Sequence, residues 1–290
     1  MNKAKMMLLS LGAVMALSVS GVEPRHIAIW DNSTAPTDNG LRGDETEEKP
    51  GNQSWLNVQK AEMWVYGADA GKATGQAIVF FPGGGYKAES VGNGHTTCKW
   101  LASHGITAAV VKYRLPNGHP EVPLNDADEA VRIMRTLAAE YGFSPDKVGV
   151  SGTSAGAHLA GVCGIVGSER PNFMVLFYPV VSADADKCHK GSFERLFGVK
   201  EAKTPVAQAY SIEKHVDQNT PPAIIFHCDD DNIVPAVNSA LLYAQMKLYG
   251  IEASLHIYPS GGHGFGMSKG FKYHDQWQQS VLDWLDAINR

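Results

Sequence analysis

The chain has 290 residues, which allows one large α/β domain with a well-buried core or two small ones. Hydrophobic residues at 44% and charged residues at 19% are an ordinary globular balance. A net charge of −5, a pI near 6.1 and the lack of any basic run argue against nucleic acid as a partner.

Lys3 and Lys5 precede an apolar, uncharged stretch from Met6 to Val19, and Ser18-Val19-Ser20 puts small residues where a signal peptidase cuts. Residues 1–20 therefore read as a secretory signal, and the mature protein is expected to be exported, to the periplasm or beyond. No cysteine stands at the cleavage point, and no later stretch has the apolar length of a membrane span. No membrane association is expected after cleavage. Four cysteines, Cys98, Cys163, Cys188 and Cys228, permit disulfides in such a protein without demanding them. Cys98 and Cys163 fall in apparent helices, where a buried free thiol is the common case. The cysteine spacing fits no zinc pattern, and H-E-x-x-H is absent.

Residues 21–62 are rich in Asn, Asp, Gly, Pro and Thr, with acidic residues clustered from Asp44 to Glu48, and read as an irregular lead-in. Trp30 and Trp55 in it are expected to plug against the domain rather than to stack on sugar. Met63 to Tyr66 predicts a first strand, and Gly67 to Gln76 a turn. Ala77 to Phe81, AIVFF, is a continuous apolar run suited to a strand buried on both faces. It ends in Pro82-Gly83-Gly84-Gly85-Tyr86. Three glycines there suit a backbone whose amides must approach a substrate oxygen with no side chains in the way. A phosphate-cradling loop fits less well, since no Lys-Ser/Thr follows. A helix holding Thr97 to Ser103 and a strand from Ile106 to Tyr113 come next. Ala127, Ala130, Val131, Met134, Leu137 and Ala138 then mark an amphipathic helix over 126–141.

The stretch from Lys147 to Gly164 reads as a strand, a forced turn and a helix. Gly152-Thr153-Ser154-Ala155-Gly156 at the turn matches G-x-S-x-G. By itself the pentapeptide is a weak signal in a chain with 30 glycines. Its flanking strand and helix strengthen it, because that corner would hold a serine hydroxyl out at the sheet's C-terminal edge. The Ala155 amide would point at the same spot from the helix N-terminus.

A strand follows from Phe173 to Tyr178. Asp184 to Thr220 has weak periodicity and reads as a small insertion over the C-terminal edge of the sheet, with a short helix or two. Ala223 to His227 predicts another buried strand, followed by the loop Cys228-Asp229-Asp230-Asp231. Pro235 suits the first turn of a helix running to about Tyr249. Ala253 to Tyr258 is the last strand. The glycine-rich loop around His263 comes next, then a final helix with Trp277, Val281, Trp284 and Ile288 on one face. Strand and helix alternate, which predicts a doubly wound, mostly parallel sheet.

An aliphatic hydroxyl needs a base, and the base needs an orienting carboxylate. Ser154 is followed by the aspartates at 229–231 and then by His263, the chain order Ser, Asp, His. His263 is the candidate base because nothing else explains Gly261, Gly262, Gly264 and Gly266 around it. His227 reads as a structural hydrogen-bonder and His158 as a group behind the site at most. His189 and His215 read as solvated surface before substrate contact. Spacing does not choose among the three aspartates.

Pro82-Gly-Gly-Gly-Tyr86, Lys112-Tyr-Arg-Leu115, Gly152-Thr-Ser-Ala-Gly-Ala-His158 and His227-x-x-x-Asp231-x-x-Val-Pro235 together resemble secreted bacterial α/β-hydrolases of the carbohydrate-esterase type, among them acetyl xylan esterases. The resemblance covers residues 63–290 and implies an α/β-hydrolase fold there. It also implies Asp231 as the acid and ester hydrolysis through an acyl-serine on Ser154. The amides of Ala155 and of Gly84 or Gly85 would take the oxyanion, with Tyr86 as a substrate contact. No metal or organic cofactor is needed, and the implied partner is an acylated oligo- or polysaccharide such as acetylated xylan. One departure stands out: many relatives carry Glu-Gly where this chain has Asn93-Gly94. A serine exopeptidase-like enzyme, a broad small-ester carboxylesterase and a non-catalytic binding protein on the same fold are the competing readings.

Overall fold

Five consecutive apolar residues can all be buried only in a strand covered on both faces, and Ala77–Phe81 is such a strand. The structure is a computed structural model that describes residues 23–289, apart from 32–33, 185–186, 188 and 201–203. The expected leader at residues 1–20 and Cys188 lie outside the described residues.

In chain order the first half holds β1 (Arg25–Ala28), β2 (Thr46–Glu47), β3 (Ser54–Leu56), β4 (Glu62–Tyr66), β5 (Ala77–Phe81) and β6 (Ala88–Ser90). Then come α1 (Val91–Ser103), β7 (Thr107–Lys112), α2 (Glu121–Thr136), α3 (Ala138–Tyr141) and β8 (Val148–Thr153). The second half holds α4 (Ala155–Ile165), β9 (Met174–Phe177), α5 (Lys190–Phe197), β10 (Ala223–Cys228), α6 (Val237–Leu248), β11 (Ala253–Tyr258) and α7 (His274–Ile288). Eight strands make one sheet in the order β1-β4-β7-β5-β8-β9-β10-β11. The β1–β4 and β4–β7 pairs are antiparallel. The pairs from β7 through β5, β8, β9 and β10 to β11 are parallel. The expected doubly wound, mostly parallel sheet is therefore what the chain adopts.

After β5 the chain runs outward to β7, then crosses back through α2 to β8 on the other side of β5. Such a reversal opens a crevice beyond the C-terminal ends of the strands. The glycine loop leaves β5 there, and the G-x-S-x-G turn leaves β8.

Alternation along the strands splits the core into two layers. Ile78 and Phe80 face the layer of α1 and α7, with Leu101, Trp277 and Val281. Val79 and Phe81 face the layer of α2, α4 and α6, with Val131, Leu159 and Leu242. Every residue of α4 is buried, because the sheet covers one side and the insertion covers the other.

Two expectations need correction, and two others hold. The lead-in at 21–62 is not wholly irregular: β1 joins the main sheet beside β4, and β2 and β3 form a small sheet with β6. These strands are two to four residues long and owe their order to partners distant in sequence. The helix expected over 126–141 begins at Glu121 and breaks at Leu137, while α1 holds Thr97 to Ser103 as expected. The insertion holds the short helices expected of it: α5 and two 3-10 turns at Pro205–Tyr210 and Ile212–Lys214.

Both lead-in tryptophans pack on the core as expected. Trp30 Nε1 also donates to Asp126 Oδ1 at 2.6 Å. Asp126 is fully buried and receives the Arg114 guanidinium at 2.6 Å together with the Arg114 amide at 2.8 Å. Arg114 reaches on to the Thr37 carbonyl, so one buried ion pair fastens the lead-in to the domain. Cys98, Cys163 and Cys228 are buried free thiols. Gly94 lies against Val110 and Phe80 and Asn93 is exposed, so the departure at 93–94 concerns helix–sheet packing.

Candidate active site

Ser154 sits between β8 and α4 with φ 54° and ψ −121°, a conformation that side chains other than glycine's avoid. Close packing enforces it. A Cβ on Gly156 would fall on the Phe81 and Pro82 carbonyl oxygens, and one on Gly152 would come within 2.7 Å of the Ala157 nitrogen. Strand end, helix start and β5 terminus touch backbone to backbone, leaving the serine no other path. The Ser154 amide donates to the Phe177 carbonyl at 3.0 Å, which ties the corner to β9.

The Ser154 hydroxyl lies 2.8 Å from His263 Nε2, and His263 Nδ1 lies 2.6 Å from Asp231 Oδ2. An ionised carboxylate only accepts, so Nδ1 carries the imidazole hydrogen and Nε2 is free to take the serine proton. The other Asp231 oxygen, Oδ1, accepts the Ile233 and Val234 amides at 2.9 Å each. Burial alone would raise the Asp231 pKa. Hydrogen bonds from His227, His263 and the Val234 amide outweigh burial and hold the carboxyl well below the usual carboxylate range.

His227 is buried beside that carboxylate. Its Nε2 donates to the Val234 carbonyl at 2.8 Å and stands 3.3 Å from Asp231 Oδ2, while Nδ1 takes the Ser239 hydroxyl at 2.7 Å. It is the structural hydrogen-bonder the sequence implied. The three aspartates now separate. Asp229 is exposed, Asp230 accepts the Gly261 and Gly262 amides at 3.1 and 2.7 Å, and Asp231 alone reaches His263. The role of Asp230 in shaping the histidine loop was missed, since nothing local marks a carboxylate that bonds 31 residues onward.

Across from Ser154, the glycine loop is braced at both ends. Tyr113 donates its hydroxyl to the Pro82 carbonyl at 3.0 Å, and the Gly83 amide donates to Thr153 Oγ1 at 3.0 Å. Gly84 has φ 145°, and a Cβ there would fall on the Ala88 carbonyl oxygen. Among the described residues no acceptor takes the Gly84 or Gly85 amide. Ala155 opens α4, where an amide has no carbonyl of its own helix to reach. Three candidate donors thus remain for an oxyanion.

Tyr86, expected to touch substrate, is 3% exposed and its hydroxyl is committed to His158 Nδ1 at 2.8 Å. Tyr86 also lines a cavity between the glycine loop, the lead-in and the insertion. His158 lies behind the site, as expected. His215 is exposed and bonded to the Gln208 carbonyl. His189 is half-buried beside Gly85, its Nδ1 2.7 Å from Ser192 Oγ. Burial, reinforced by the neighbouring His263 and Arg195, lowers its pKa. The insertion contributes a further contact that the sequence did not signal: Arg195 Nη1 donates to the Gly85 carbonyl at 3.1 Å. Tyr178 presses its ring against the His263 imidazole, with centroids 4.9 Å apart.

A family model described as alpha/beta hydrolase fold matches residues 78–267. An acetylxylan esterase from Xylanibacter ruminicola is 42% identical over 221 residues, covering 74% of this chain and 46% of the relative. An endo-1,4-beta-xylanase B from Butyrivibrio fibrisolvens is 28% identical, covering 64% of this chain and 32% of the relative. The chain thus spans half or less of the length of these two curated relatives. Among solved structures, an acetyl ester-xyloside bifunctional hydrolase from Caldicellulosiruptor lactoaceticus superposes with a TM-score of 0.76 at 33% identity, covering 93% of this chain and 98% of the other. An esterase from Thermogutta terrifontis superposes with a TM-score of 0.65 at 30% identity, covering 83% and 94%.

Proposed function

Since the chain belongs to the α/β-hydrolase fold family, we propose that it is a serine esterase that removes acyl groups, acetyl above all, from plant cell-wall polysaccharide such as xylan. The observation that carries this reading is the hydrogen-bonded line from Ser154 Oγ through His263 to Asp231 at a strained strand–helix corner.

In that reading the Ser154 oxygen attacks the ester carbonyl as His263 Nε2 takes its proton. The carbonyl oxygen becomes an anion received by the Ala155 amide and by that of Gly84 or Gly85. Each such donor contributes about 3 kcal/mol at the transition state. His263 returns the proton to the departing alcohol oxygen, leaving an acyl-serine. Water, deprotonated by the same imidazole, attacks the acyl carbon; the bond to Ser154 Oγ then breaks as the imidazolium gives its proton to that oxygen, releasing the carboxylic acid and restoring the serine. Asp231 remains ionised throughout, fixing the imidazole tautomer and balancing its positive charge.

The acetyl and xylan assignments are supported by the likeness to an acetylxylan esterase and to an acetyl ester-xyloside bifunctional hydrolase. Export is supported by the leader pattern at residues 1–20. No described helix is long and apolar enough to cross a membrane. A single comparison of p-nitrophenyl acetate, acetylated xylan and aminoacyl-nitroanilides tests the reading. Release of acetate from xylan with no amidase activity is the expected result. Hydrolysis of the anilides alone would make the protein a peptidase, and turnover of none would make it a binding protein.

A further inference from the structure

A cavity of about 390 Å³ opens where four separate segments meet: the lead-in, the glycine loop, the turn after β7 and the α5 region. Its volume falls in the range of about 300–1,000 Å³ typical of small-ligand sites. It shares Tyr86 and Lys87 with the glycine loop, and Arg195, which lines it, is the same side chain that holds the Gly85 carbonyl. It therefore adjoins the candidate oxyanion site.

The lining has a particular chemistry. The Asn57 amide nitrogen is committed to the Arg42 and Asp44 carbonyls, and that of Asn117 to the Asn39 carbonyl. Each amide is left with its oxygen, an acceptor held in a fixed place, which suits a ligand that donates hydroxyl hydrogens. Glu194 adds a further acceptor, while Lys87 and Arg195 supply donors. Leu41, Leu115 and Val199 complete the wall with aliphatic surface. An acyl tail would strand those polar groups without partners, at a cost that disfavours it. Donors, acceptors and aliphatic patches together suit a neutral ring carrying hydroxyls on its rim and C–H bonds on its faces.

We propose that this cavity binds a glycosyl unit of the substrate's alcohol portion, next to the sugar that carries the ester. The proposal rests on the carbohydrate-esterase reading above. It adds that the sugar chain is gripped by the lead-in and the insertion together. Because Arg195 both lines the cavity and fixes Gly85, a sugar hydroxyl bonded to Arg195 steadies the oxyanion amides, which an apolar side chain filling the same space does not. Binding energy from a remote sugar is then expressed in kcat as well as in KM.

Val199→Trp fills the cavity from its exposed rim, and Lys87→Ala removes one donor. Acetylated xylotriose and p-nitrophenyl acetate are compared as substrates. The expected result is a fall in kcat/KM on the oligosaccharide of about tenfold for Val199→Trp and about threefold for Lys87→Ala, with p-nitrophenyl acetate changed less than about twofold. The small ester doubles as a control for folding. Equal losses on both substrates, or none on either, would overturn the proposal. A second arm needs no turnover: unacetylated xylotriose is titrated calorimetrically into the Ser154→Ala protein with and without Val199→Trp. Binding that Val199→Trp abolishes supports the cavity even if no xylan ester were cleaved, a result that would sink the esterase reading instead. Ester cleavage with no xylotriose binding would sink the cavity and leave that reading intact.

Discussion

Tyr86 donates its hydroxyl to His158 Nδ1 across 2.8 Å, so the glycine loop is bonded to the nucleophile helix. The opposite nitrogen of the same ring, Nε2, donates to the Tyr210 carbonyl of the insertion, also at 2.8 Å. One neutral imidazole thus joins three parts of the site. Tyr86→Phe should leave the protein folded while freeing the loop that carries Gly84 and Gly85. Turnover of an activated acetyl ester should drop about tenfold, some 1.4 kcal/mol, with KM nearly constant. A rise in KM alone would place Tyr86 in ground-state binding.

The burial of His158 also sets a pH dependence. Burial lowers its pKa from 6.5 to about 4, opposed by the hydrogen bond to the Tyr210 carbonyl. Between these values the unfolded chain holds more protons than the folded one, so stability falls as pH drops from 6.5 toward 4. The loss reaches about 3 kcal/mol, on the basis of 1.36 kcal/mol for each pKa unit. Denaturant midpoints at pH 7 and pH 4.5 measure it. His158→Gln should be less stable at neutral pH but should show a flatter profile over this range. An unchanged slope would mean that other groups carry the acid sensitivity.

Ser154 offers a separation of chemistry from strain. Ser154→Ala should lose several orders of magnitude in ester turnover. Its backbone still occupies φ 54°, so its melting temperature should stay close to that of the parent. Ser154→Gly should be equally inactive yet more stable by about 1 kcal/mol, because glycine adopts that conformation without penalty. A glycine variant no more stable than the alanine one would show that the corner stores no strain.

Asn substitutions at positions 229, 230 and 231 should give three distinct results. Asp231→Asn should lose about 10⁴ in kcat, as removal of an orienting carboxylate permits the wrong imidazole tautomer. Asp230→Asn weakens the hold on Gly261 and Gly262 and should cost about tenfold through a looser His263 loop. Asp229→Asn should be neutral. A collapse at 230 with 231 near normal would move the acid by one residue.

Much of this site could be read from the chain because its parts sit on short, rigid motifs. Glycines at 152 and 156 are needed where backbones touch, and that need leaves a fixed spacing in the sequence. The order Ser154, Asp231, His263 follows from strand order at one sheet edge. Arg195, Asp230 and Tyr178 could not be found this way, for each acts across a fold-dependent gap with no periodic signal. The same holds for β1, whose four residues become a strand only once β4 is beside them. Tyr86 is a mixed case: its place in the loop suggests a substrate contact, while the bond of its hydroxyl to His158 on another element leaves no mark in the sequence.

The way the lead-in is fastened bears on how such an enzyme would age. Trp30, Asn39 and the Arg114–Asp126 pair hold residues 24–62 against the domain, and β1 covers the free edge of β4. None of these groups touches Ser154, His263 or Asp231. A protease that nicked the lead-in and released β1 would leave the hydrolytic machinery intact but bare the hydrogen-bonding edge of Glu62–Tyr66, which carries Met63, Trp64, Val65 and Tyr66. Naked edges of that composition pair with one another. Such an enzyme would be lost by sticking to its own copies while each copy could still turn over substrate, so β1 governs its working lifetime and not its rate.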